Sequence, residues 1–145
     1  MAESKKLSDP RLLQKIADYV VKRQNEDGGY TFAQGAESNG QDTYYGLAIL
    51  NQLKTKFPNP QKTMKFLDEI RLDSIYGIYY TAKISLLLGK DLNPKLKKRL
   101  MQTLNSKEYF GSADFFSEVS SEFITTYMAL ELAHLLEINV NTEAA

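Results

Sequence analysis

The chain has 145 residues, 18 basic and 18 acidic side chains, and a formal net charge of zero. Apolar residues are 43% and charged residues 25%, so one globular domain with a real core is expected. The even charge gives no electrostatic reason to expect nucleic acid or an anionic membrane as a partner, and the absence of cysteine excludes disulfides, thiolate metal sites and thiol nucleophiles.

The start, "MAESKKLSDP", has no apolar run after its lysines and does not read as a secretory leader. No segment approaches the length of a membrane span, and the expected location is cytoplasmic. Asp9-Pro10 predicts a first helix whose inward stripe is Leu13, Ile16 and Val20, with Leu12 and Tyr19 beside them. A polar turn follows, "QNEDGGYTF", in which "GGYTF" reads as a short extended piece. "TYYGLAILNQL" then predicts a helix apolar around most of its circumference. Asn59-Pro60 opens an amphipathic helix with Met64, Leu67 and Ile70 inward, and "GIYYTAKISLLLG" forms a second apolar one. Asn93-Pro94 opens a helix with Leu96, Leu100 and Leu104 inward and the solvated basic run "KLKKR" outward. Phe110, Phe115 and Phe116 lie in a polar loop, either tucked beneath it or marking a contact surface. "FITTYMALELAHLL" closes the series, with His134 read as a partly buried packing residue.

One-sided helices thus alternate with helices that are apolar nearly all round. The fold class expected is all-α, one helical domain of three outer–inner hairpins at about 11–56, 60–89 and 94–138. The inner helices overlay: Thr43-Tyr44-Tyr45-Gly46-Leu47 on Thr126-Tyr127-Met128-Ala129-Leu130, with Tyr80-Thr81-Ala82 a weaker middle copy. Tyr44, Tyr80 and Tyr127 are separated by 36 and 47 residues, a degenerate repeat with unequal loops. Each tyrosine is followed two places later by a small residue, which lets neighbouring helices approach closely.

Gln24-x-x-Asp27-Gly28-Gly29-Tyr30, followed by a loop and by Thr43-Tyr44-Tyr45-Gly46-Leu47, resembles the repeat of protein prenyltransferase β subunits and squalene/terpene cyclases. In that family an outer helix ends in a Gln-x-x-Asp-Gly-Gly-aromatic turn, and the next helix lines the inside of an α/α toroid. The resemblance implies half of such a toroid here, since the full ring has six hairpins. The turn is expected to place both glycines at positive φ and so end the helix, to bond Asp27 to amides of its own turn, and to let Gln24 donate to loose carbonyls. Tyr30 is expected to pack against the following repeat. The family's zinc-binding Asp, Cys and His have no full counterpart: Tyr45 stands where the cysteine would be, and the sole histidine is His134. The cyclases' Asp-x-Asp-Asp run is absent too. No metal and no cofactor is therefore expected.

Asp42, Asp73 and Glu122 stand at or near the starts of inner helices, where paired carboxylates can do acid–base work or hold a cation. The plainer reading makes them helix caps. Tyr44, Tyr45, Tyr76, Tyr79, Tyr80 and Tyr127 can wall a groove for an isoprenoid or another apolar molecule, or simply pack between helices. The expected function is a non-catalytic binding or assembly module that completes a ring by dimerisation or with a partner chain. The alternatives are an enzyme or enzyme subunit handling an apolar substrate between the tyrosines, and a carbohydrate-active α/α barrel using its rim carboxylates.

Overall fold

The proline-marked starts are where the helices begin. The computed structural model describes residues 9–105 and 122–138. Among them are α1 (Pro10–Val21), α2 (Gly40–Gln52), α3 (Pro60–Glu69), α4 (Ile75–Leu87), α5 (Pro94–Asn105) and α6 (Glu122–Leu135). No strand forms among the described residues, and the fold is all-α. The expected extended piece survives only as single antiparallel bridges from Tyr30 to Gln24 and to Asn39.

Asp9 caps α1 by accepting from the Arg11 amide at 2.9 Å, and Asn93 accepts from the Lys95 amide at 3.0 Å. Asn59 differs: its φ is +48° and its side chain makes no cap bond. Its side-chain Nδ2 donates instead to Gln24 Oε1 at 3.1 Å.

The chain falls into two compact units, Met1–Ile70 with Leu87–Gly89, and Arg71–Leu86 with Lys90–Ala145. In the first, α1 packs on α2. The buried line of α1 is Ala17 and Val20 with Leu13 half-buried, narrower than the expected stripe. Leu12, Ile16 and Tyr19 are exposed, because the small Ala17 is the residue on the covered face. On α3 the covered residues are Thr63, Phe66 and Leu67, while Met64 and Ile70 are half-buried.

The double-glycine turn corrects the sequence reading in three respects. The helix stops at Val21, with Lys22 as its cap, ahead of the glycines. Only Gly28 has a positive φ, +91°. A Cβ on Gly28 would also lie 2.2 Å from the Lys62 carbonyl carbon. Gly29 is required for space: a Cβ there would meet the Ser38 Cβ at 2.5 Å and the Phe66 ring at 2.9 Å. Tyr30 packs within its own hairpin, its ring so near Gly46 that a Cβ on that glycine would sit 3.1 Å away. The following helix is reached by other atoms of the turn. Gln24 Nε2 donates to the Pro58 carbonyl at 2.9 Å, and the Thr63 hydroxyl donates to the Gly28 carbonyl at 2.8 Å.

In the second unit, α4 is buried around most of its circumference, from Ile75 through Ser85. α5 packs on α6 and buries Leu96 and Leu100 completely. Lys95, Lys97, Lys98 and Arg99 are exposed, as a solvated basic face should be. Phe110, Phe115 and Phe116 and the Leu104 side chain lie outside the described residues.

The helices α2, α4 and α6 stop in the same way. Lys54, Gly89 and Glu137 take left-handed conformations with φ of +54°, +69° and +56°. The next amide then bonds back five residues: Thr55 to Leu50 at 2.9 Å, Lys90 to Ser85 at 2.9 Å, Ile138 to Ala133 at 2.8 Å. That is the Schellman closure, which satisfies otherwise loose carbonyls at a helix end.

Candidate functional site

The turn and the start of α2 form one polar framework. Asp27 Oδ1 accepts from the Gly29 amide at 2.9 Å and from the Ser38 hydroxyl at 2.7 Å. Asn25 Nδ2 donates to the Ala36 carbonyl at 3.0 Å and to Ser38 Oγ at 2.9 Å. Thr43 Oγ1 accepts from the Tyr30 amide at 2.8 Å. A short side chain reaches its own neighbouring amides readily, which is why Asp, Asn and Ser crowd this loop.

Asp42 belongs to the same framework. Its Oδ2 accepts from the Phe32 amide at 2.9 Å and from Asn39 Nδ2 at 2.7 Å. Its own amide donates to Asn39 Oδ1 at 2.7 Å, so Asn39 caps α2 and the Asp42 carboxylate holds the capping side chain in place. Asp73 pairs with Arg71 at 3.1 Å, both well exposed, an arrangement worth little in water. The Glu122 side chain lies outside the described residues.

The tyrosines divide by exposure. Tyr79 and Tyr80 are buried and meet edge to face at 5.2 Å between ring centres. Tyr44 and Tyr76 are half-buried. Tyr45 is 52% exposed and Tyr127 62%. The Tyr44 and Tyr45 rings touch at 5.0 Å. His134 is exposed in the last turn of α6, not a packing residue; a histidine there suits the negative end of a helix dipole.

Sequence patterning missed one cluster. Lys83 Nζ on α4 lies 2.6 Å from Glu131 Oε1 on α6, and the Tyr79 hydroxyl donates to Glu131 Oε2 at 3.2 Å. Both charged side chains are about four-fifths covered. Burial pushes the Glu131 carboxyl up, but hydrogen bonds from Lys83 and Tyr127, the Lys83 charge and the Tyr79 hydroxyl outweigh it. The net shift is below the usual carboxylate range. The available signal was a lysine and a glutamate, each inside an otherwise apolar helix.

Residues 2–77 match the family model of the prenyltransferase alpha-alpha toroid domain. The chain belongs to this family. Comparison with curated proteins and with solved structures gives no match. The matched span of the toroid domain ends just inside α4 and contains the whole double-glycine framework. Asp42 Oδ2 is already engaged by the Phe32 amide and the Asn39 side chain. Among the described residues no three His, Asp or Glu side chains gather as metal ligands. No helix among them is long and apolar enough to cross a membrane.

Proposed function

We propose that this toroid-family chain is a binding or assembly module, and that self-association or a partner chain covers its inner-helix faces. The supporting observation is on α6. Thr125, Met128, Ala129, Leu132 and Ala133 are buried, yet Phe123 is 88% exposed, and Ile124, Tyr127 and Leu130 are exposed on the other side. α2 repeats the pattern, with Leu47 and Leu50 buried and Tyr45 and Ile49 exposed. An apolar stripe opposite a buried face is what an interaction surface leaves open in the isolated chain.

Completion of a ring by two copies gives each copy the same interface and accounts for both stripes. A greasy small molecule is an alternative occupant of either stripe. On this reading Tyr45 makes the ligand contact on α2, with Tyr44 beside it, and in the other unit Tyr127 makes it on α6, with Tyr76 and the buried Tyr80 on α4. A cytoplasmic location accords with a chain that has no cysteine. Sedimentation velocity with native mass spectrometry tests the proposal. A dimer or a co-purified apolar molecule is expected at micromolar concentration, and Phe123→Ser with Leu130→Ser should release it. A clean monomer with nothing bound would overturn it.

A further inference from the structure

We infer that the end of α1 carries a binding site for a small carboxylate with a flat apolar body, separate from the apolar faces described above. A cavity of about 330 Å³ is lined there by Tyr19, Lys22, Arg23 and Gln34. Two cations, one neutral amide and one aromatic ring line it, and no carboxylate does. That volume is at the small end of the range for organic ligands.

Arg23 distinguishes this cavity from an ordinary solvated helix end. Its guanidinium carbon stands 4.6 Å from the centre of the Tyr19 ring, so stacking fixes its direction. The side chain is half-buried, and its Nε is sealed from water without a hydrogen-bond acceptor. Among the described residues neither Lys22 nor Arg23 takes part in an ion pair. A guanidinium held in place with its outer donors unclaimed presents a fork that matches two carboxylate oxygens.

The walls are tied together. The Arg23 carbonyl accepts from the Thr31 amide at 3.2 Å, and Asn25 Nδ2 holds the Ala36 carbonyl at 3.0 Å. The loop that carries Gln34 is thereby anchored on both sides to the segment that follows the helix. In the bound state Arg23 would grip the carboxylate, Lys22 would supply long-range charge, the Gln34 amide would donate, and the Tyr19 edge would pack the ligand body.

Phthalate is a suitable probe, titrated into the full chain and followed by the NMR signals of Arg23, Lys22 and the Gln34 side-chain amide. Saturable shifts at these groups are expected, with Arg23→Gln weakening the affinity on the order of tenfold. Arg23→Lys should lose nearly as much, because a lysine has no fork. Unchanged binding by Arg23→Gln, or no saturation, would overturn the inference. So would equal binding of neutral benzamide, which would remove the charge requirement. Inorganic phosphate binding as tightly as phthalate would overturn the role given to the Tyr19 wall. Should Arg23→Gln fail to fold by circular dichroism, the exposed Lys22→Gln gives the same comparison, with a weaker but measurable loss expected and no change counting against the site.

Discussion

The hydroxyl of Thr63 donates to the carbonyl of Gly28 at 2.8 Å, joining the first turn of α3 to a loop 35 residues earlier. Gly28 accepts this approach because it has no side chain, and its φ of +91° suits glycine for a second reason. Gly28→Ala should therefore destabilise by at least about 3 kcal/mol, read as a lower denaturant midpoint. Thr63→Val keeps the shape and removes the donor, and should cost about 1–2 kcal/mol. Equal, small effects of the two would mean that backbone contact is not what Gly28 provides.

Tyr30 is 1% exposed, and its hydroxyl has no hydrogen-bond partner among the described residues. Burial pushes its phenol up from 10.0 to about 12. The folded chain thus holds this proton more tightly than the unfolded chain. The associated stability is complete below pH 10 and is lost as pH rises towards 12. Tyr30→Phe should melt at the same temperature as the natural chain or higher at pH 7, gaining up to about 1 kcal/mol. Its stability should also fall less steeply in alkali.

The Glu131 carboxyl moves the other way. Its lowered pKa means that its contribution is in place above the ordinary value of 4.5 and is lost as pH falls through the folded-state value. Glu131→Gln should cost about 1–2 kcal/mol at pH 7, since it leaves Lys83 partly covered and without its charge partner. The difference from the natural chain should narrow below pH 4.5 in thermal melts.

Lys54 and Glu137 hold left-handed positions that Gly89 holds without strain. Lys54 is exposed, so its side chain adds little packing to offset the conformation. Lys54→Gly should raise stability by about 0.5–1 kcal/mol, measured by urea unfolding.

Much of the fold was legible because it is written in local chemistry. Asp9-Pro10 and Asn93-Pro94 cap as such pairs should, and Leu96 and Leu100 bury on schedule. Asn59-Pro60 looked identical, yet Asn59 turns its side-chain amide to Gln24, because a tertiary contact outbid the local cap. The double glycine was visible but its reasons were not: a φ requirement and a space requirement give the same letter in a sequence. The α1 stripe was misjudged at Ile16 because periodicity ranks large apolar residues first, whereas Ala17 is what the close contact with α2 demands. The shared closures at Lys54, Gly89 and Glu137 were hidden, since only one is a glycine. Their spacings, 35 and 48 residues, nonetheless track the tyrosine repeat at 36 and 47. At the candidate site, Asp42 was legible as an acid in the first turn of a helix, but its bonds to the Phe32 amide and the Asn39 side chain were not, and Lys83 and Glu131 needed the pairing of α4 with α6 to be recognised.

Severing the chain after residue 56 would leave the Gly28 carbonyl and the Gln24 side chain without Thr63, Pro58 and Asn59, whereas severing it after Ile70 would keep every one of these bonds. The excisable block is thus α1 and α2 together with α3. Anyone splicing such blocks into longer arrays should set the joints one helix out of phase with the tyrosine repeat.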